Sequence, residues 1–196
     1  MGAATREPTL HAARLQQLTE IESALWHELA AAVATPGHAW RHGVLATVDG
    51  DGADARTVVL RDLDSDARAL LLYTDARSPK VRQIAARPLG TLVLWSPALG
   101  WQLRLRCALS VRTAGLVVSS RWATLKMSPA ADDYLSPLPP GSSLDGPIDP
   151  PLPDRGTRSH FAVLTAQVRG VDWLELHAQG HRRARFDEAG ARWLVP

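Results

Sequence analysis

Residues 56–80 read RTVVLRDLDSDARALLLYTDARSPK, and their order decides the fold. Two runs rich in β-branched and aliphatic residues, 56–61 and 69–74, flank the polar segment DLDSDAR, which is the pattern of a hairpin. Ser78-Pro79 then opens a helix, because serine suits the cap and proline the first helical position. A helix N-terminus presents unpaired N–H groups and the positive end of the peptide dipoles. Thr74, Arg77, Ser78 and Lys80 crowd that end, and Arg56 lies on the hairpin before it. Such a set matches a phosphate monoester, which carries about −1.5 to −2 charges. The same residues also suit a capped surface helix with solvated charges.

Outward from this stretch, the pattern predicts one mainly β domain spanning 1–196. Leu15, Leu18, Leu25, Leu29 and Val33 make one apolar stripe, predicting an N-terminal helix over 10–35 that Pro36-Gly37 stops. Residues 43–48 and 90–95 suit strands, and DGDGAD at 49–54 suits a turn. From Trp101 to Arg112, apolar residues alternate with polar ones, the period-two signature of an antiparallel strand with one face in water. A short helix is expected around 119–127. Residues 136–158 hold seven of the fourteen prolines and form a loop. Strand patterning returns at 161–168, 171–176, 181–186 and 191–195. Strands outnumber helices and few connections are long enough for parallel crossovers. The expected architecture is an antiparallel barrel with helices outside.

Composition excludes several function classes. Twenty-two basic residues nearly balance twenty acidic ones, for a net charge of +2, which argues against a polyanionic partner such as nucleic acid. Cys107 is the single cysteine, so neither an internal disulfide nor a cysteine-based zinc site can form. No apolar run approaches a membrane span or a signal-peptide core, and a cytoplasmic protein is expected. His38 and His42, like His177 and His181, stand four apart, but no HExxH pattern or third ligand accompanies them, and no metal is expected. Gly50-Asp51-Gly52 is followed by a strand rather than a helix, so it is a hairpin turn and not a dinucleotide fingerprint. Trp26, Trp95, Trp101 and Trp193 sit in apolar patterns and are expected in the core.

The run Arg56–Arg61, then Leu72-Tyr73-Thr74-Asp75, Ser78-Pro79-Lys80 and Trp101-Gln102, with VDWLEL at 171–176 and HRRARF at 181–186, resembles the pyridoxamine 5′-phosphate oxidase family. The likeness is to its oxidase-like branch of FMN-binding split barrels. The resemblance implies a six-stranded antiparallel split β-barrel, mainly β with flanking helices, working as a homodimer with FMN at the interface. It implies that Arg56, Thr57, Val58, Val59, Leu60 and Arg61 line the FMN. Tyr73 and Thr74 would follow on the next strand, with Arg77, Ser78 and Lys80 at the phosphate. Gln102 would come from the partner subunit, and Trp173 and Arg185 would lie near the same cofactor. The flavin would accept a hydride and pass electrons to oxygen or another acceptor. Arg56 and Arg61 are five apart, so an ideal strand sends them to opposite faces, and a bulge, or contacts along both the edge and the face, is needed to bring both to one ligand.

The family's usual Ser-Arg-Lys is Ser78-Pro79-Lys80 here, with Arg77 as the compensating cation. The oxidase's tyrosine–arginine–serine cluster for the substrate phosphate has no clean counterpart in Ser120-Arg121-Trp122 or Lys126-Met127-Ser128. Arg183 stands near the place of a substrate-side histidine. The resemblance therefore supports FMN binding more strongly than oxidation of vitamin B6. An FMN carrier or sensor without turnover, and a haem-binding split barrel, are the alternative readings.

Overall fold

The computed structural model describes residues 14–50, 52–146 and 160–196. Eight strands form one antiparallel sheet: β1 (His42–Asp49), β2 (Gly52–Asp64), β3 (Ala69–Asp75), β4 (Leu89–Ser96), β5 (Trp101–Arg112), β6 (Phe161–Glu175), β7 (Arg182–Asp187) and β8 (Gly190–Leu194). Their order is β3-β2-β1-β4-β5-β6-β7-β8, and β3 also pairs with β6. Six strands therefore close into a ring, and β7 and β8 continue the sheet beyond it. The expected split barrel is the observed fold.

β6 is where the barrel splits. Its first half, residues 161–167, pairs with β3, and its second half, 170–175, pairs with β7. Along its other edge it pairs with β5 throughout. The sequence suggests two strands broken near Arg169-Gly170. The chain instead runs straight through, and Arg169 is the extra residue of a bulge opposite Arg106 and Cys107. A bulge adds local twist, which lets one strand leave one neighbour for another.

Burial follows the patterning. In β5 Trp101, Leu103, Leu105, Cys107 and Leu109 point into the core while the alternate residues face out. β3 and the start of β6 are buried on both faces, so they read as continuous apolar runs. Their outer faces are covered by α3 (Leu116–Leu125) and a 3-10 turn at Pro129–Tyr134, which bury Val118, Trp122, Leu125, Ala131 and Tyr134 against Leu71, Phe161 and Val163. On the other side, α1 (Leu18–Ala34) buries Ile21, Leu25, Leu29 and Ala32 in the barrel cluster.

α1 begins at Leu18, not at residue 10, and residues 10–13 lie outside the described residues. Its start is fixed by Gln17 and Glu20, which cap each other's backbone. The predicted loop at 136–158 is described as far as Gly146. Two tryptophans depart from expectation: Trp95 and Trp193 are 42% and 45% exposed, because each is on an outward position of its strand.

Among the described residues, no helix covers the outer face of β1, β4 and β5. Cross-strand neighbours share a face, so one row runs Thr57, Val44, Val93, Arg104, Asp172, Arg185 across five strand boundaries. Val44 and Trp95 are exposed on this face.

Gly90 permits the close approach of β4 to β1. A Cβ there would lie 2.8 Å from the Ala46 carbonyl oxygen and 2.6 Å from Leu109 Cδ1. Gly90→Ala is expected to lower stability by about 1–3 kcal/mol through overpacking, read as a lower urea midpoint. An unchanged midpoint would contradict this β1–β4 pairing.

Candidate functional site

The hairpin and the helix that follows it meet at a cluster of hydroxyls around one ammonium. β3 ends at Thr74-Asp75, a tight turn follows, and α2 (Pro79–Ala86) begins. Ser78 stands at the cap and Pro79 at the first helical position, as the sequence predicts, but the serine hydroxyl makes no capping bond. It lies 3.2 Å from Thr74 Oγ1, and Lys80 Nζ donates to both hydroxyls at 3.1 Å. Thr74 and Ser78 are buried. A lysine has three donors, so one remains for a ligand. Burial, and after it the charge of Arg56, holds the Lys80 ammonium below the usual lysine range. A desolvated cation flanked by two hydroxyls at a helix N-terminus is chemistry suited to an anion.

A cavity of about 200 Å³ adjoins this cluster, lined by Thr57, Val58, Val59, Arg61, Tyr73, Thr74, Lys80 and, from the segment after α3, Asp133, Tyr134 and Pro140. Arg61 lines it from a bulge, with Leu60 opposing Leu72 and Asp62 opposing Leu71 so that Arg61 is the extra residue, but the bulge does not bring Arg56 to the same cavity. Its guanidinium lies 5.5 Å from the Tyr73 ring centre and also meets the Tyr134 hydroxyl. The Arg61 Nε is buried without a hydrogen-bond partner, a donor awaiting an acceptor.

Other predicted residues lie elsewhere. Arg56 shares a face with Leu45, inside the barrel. Its terminal nitrogens bond the Leu45 carbonyl, Thr47 Oγ1, Asp54 and Gln83 Oε1. Thr47 in turn donates to Gln83 at 2.6 Å, and Gln83 to Asp54 at 2.9 Å. This polar plug ties α2 to β1 and β2, and Arg56 acts on Lys80 through its charge. Leu60 is fully buried in the core. Arg77 turns away from the hydroxyls and pairs with Asp75. Trp173 is also fully buried, its ring 5.4 Å from that of Trp101. Gln102 and Arg185 lie on the outward side of the sheet, on β5 and β7, where Asp172 bridges Arg104 and Arg183, and Asp187 bridges Arg185 and Arg192. The two cavities that Arg185 lines do not reach Tyr73 or Lys80.

The site also holds residues the sequence did not single out. Tyr134, Asp133 and Pro140 come from a segment with no strand or helix signature, and Gln83 is an ordinary helix residue until α2 packs. Arg121 contacts Asp62 at 2.8 Å and the Tyr73 hydroxyl, beside the cavity. His38 pairs with Glu28 at 3.1 Å, and the His181 ring accepts from the His177 N–H.

Known proteins share this fold. The fold is that of a protein described as a pyridoxamine 5′-phosphate oxidase-related, FMN binding protein from Nostoc punctiforme (TM-score 0.70, 23% identity, 94% of this chain and 100% of that one). PhzG from Burkholderia lata, solved with tetrahydrophenazine-1-carboxylic acid, shares it too (TM-score 0.71, 16% identity, 94% and 98% covered). Both define a split barrel. In sequence, residues 23–113 match the family model described as pyridoxamine 5′-phosphate oxidase, FMN-binding domain. A pyridoxine/pyridoxamine 5′-phosphate oxidase from Caulobacter vibrioides is 27% identical over 165 residues, covering 77% of this chain and 72% of that protein. One of the same name from Azorhizobium caulinodans is 44% identical over 63 residues, 32% of this chain and 29% of that protein.

Trp173→Phe keeps an aromatic ring in the core, and the indole N–H it removes has no partner. Ligand affinity at the Lys80 cavity should not change in this variant, while Trp173→Ala should lose about 3–5 kcal/mol of stability. Calorimetric titration and urea denaturation check the two halves.

Proposed function

We propose that the protein is an FMN-dependent oxidoreductase acting as a homodimer on a small molecule. The observation that carries this reading is the Thr74–Ser78–Lys80 cluster: two buried hydroxyls and a desolvated ammonium at a helix N-terminus, opening on a cavity beside Arg61. The donor set fits the phosphate of FMN, and the unpartnered Arg61 Nε fits an acceptor on a ligand lying along β2. When bound, FMN supplies a ring that takes up and releases a hydride or single electrons. Arg61 contributes positive charge in a partly desolvated place, which favours negative charge developing on a ligand there. Thr57, Val58 and Val59 present a strand edge and face to the same ligand. Among the described residues no histidine lines this cavity, so the histidine-ligated haem of the alternative reading finds no support there.

The cavity is small, and one chain supplies one wall of the site. Beyond it lies the uncovered face of β1, β4 and β5, with exposed Val44 and Trp95, and past that Gln102, Arg104 and Arg185. A second copy packed on this face would bury the apolar strip and bring its own Gln102 and Arg185 to the cavity. This is the arrangement the family resemblance implies. None of the cited contacts selects the substrate, and the vitamin B6 phosphate esters named for the relatives are one class to assay.

FMN titration of Lys80→Gln tests the core of the proposal. Charge-assisted hydrogen bonds contribute about 1.5–3 kcal/mol, so FMN affinity should fall roughly ten- to a hundred-fold, while riboflavin affinity stays close to that of the wild type. Equal losses for both ligands would remove the phosphate assignment. Because its proton leaves below the ordinary lysine value of 10.5, FMN affinity should weaken as pH rises through the alkaline range beneath that value. Lys80→Arg, which stays charged there, should displace the weakening to higher pH. For the interface, Trp95→Glu should give a monomer in sedimentation velocity together with weaker FMN binding. A stable dimer with normal binding would place the interface elsewhere.

A further inference from the structure

The clue is the fate of Arg77. The sequence reads it as a spare phosphate cation, but its guanidinium forks onto the buried Asp75 carboxylate, with Nε to Oδ1 at 3.1 Å and one terminal nitrogen to Oδ2 at 2.7 Å. The same guanidinium reaches out to two backbone carbonyls, Ser136 at 2.7 Å and Pro137 at 3.1 Å. These carbonyls begin the proline-rich connection between the 3-10 turn and β6. The other root of that connection is tied to the same turn: the Ala76 N–H donates to the His160 carbonyl at 2.7 Å. Residues 75–77 therefore hold both the departure and the return of the loop. Close by, a Cβ added at Gly141 would lie 3.8 Å from Pro79 Cγ, at the first position of α2. The segment so held carries pocket walls, because Asp133, Tyr134 and Pro140 line the cavity that contains Thr74 and Lys80.

We propose that Arg77 is a positioning residue that clasps the 135–141 strap over the cofactor cavity, and that it is not a ligand of the phosphate. The reading rests on the assignment of FMN to the Lys80 cavity. Arginine's planar fork is what the arrangement uses: one edge satisfies a carboxylate while the remaining donors reach carbonyls. An ammonium cannot reproduce that geometry. Pro137, Pro139 and Pro140 stiffen the strap, so fixing its root fixes Pro140 as well. The clasp thereby couples retention of any ligand in the cavity to the turn that presents Ser78 and Lys80. Its effect is indifferent to whether the ligand carries a phosphate.

That indifference provides the test. In Arg77→Gln, dissociation of FMN and of riboflavin should speed up by similar factors, so the ratio of their affinities stays that of the wild type. In Lys80→Gln the ratio should collapse. Arg77→Lys should behave like Arg77→Gln. A direct phosphate contact would predict the opposite on both counts: a selective loss of FMN affinity, and rescue by lysine. Thermolysin digestion with mass mapping reads the strap without any ligand. Loss of two charge-assisted bonds should raise cleavage at Ser143–Leu144 about tenfold or more. Unchanged cleavage in Arg77→Gln overturns the clasp even if the protein binds no flavin. Faster cleavage in a protein that binds no flavin would leave the clasp standing and reject the FMN assignment instead.

Discussion

The barrel depends on the divided pairing of β6. One edge of this fifteen-residue strand stays with β5, while the other serves β3 and then β7. Closing a sheet removes exposed edges, and opening it again needs a place where the strand can turn. The bulge at Arg169 provides that place. Everything the site uses follows from it. β3 is held in the ring, so its end presents Thr74 to α2, and β7 is released to carry its arginines along the open face.

Two charged groups near the end of the barrel show how position divides labour between similar residues. Arg56 and Lys80 are both cations close to the helix N-terminus. Arg56 lies on the inward side of β2, where an unpaired charge would be costly, and four acceptors meet it. Lys80 is desolvated as well, but its hydrogen bonds go to hydroxyls, and Asp75 and Asp54 act on it only through their charge. No carboxylate bonds the ammonium directly, so it keeps a donor for an anion. The second group is therefore the better candidate for binding, although sequence spacing treats the two alike.

The same logic separates the two sides of the barrel wall. α3 and the 3-10 turn cover β3 and the first half of β6, and the residues there are apolar on both faces. Among the described residues no helix covers the outer face of β1, β4 and β5, and there the outward residues range from Val44 and Trp95 to a set of arginines, several bridged by Asp172 and Asp187. Hydrogen bonds from Arg192 and Arg185 hold the Asp187 carboxyl well below its usual range against the cost of burial.

Much of the fold was legible because period-two patterning, turn residues and the Ser78-Pro79 start are local signals. The alternation from Trp101 to Arg112 marked β5 to the residue. The site was legible only where it is local, at Thr74, Ser78 and Lys80. Sequence alone assigned residue types to strands, to faces and to a helix end. It could not tell a buried Trp173 from a ligand-facing one, nor Trp95 on the open face from a core residue, because both sit in apolar runs. It could not direct Arg77 toward carbonyls about sixty residues away or bring Tyr134 and Pro140 to the cavity. Those outcomes were decided by tertiary structure, since which partner satisfies a side chain depends on which distant segment the closed barrel brings beside it.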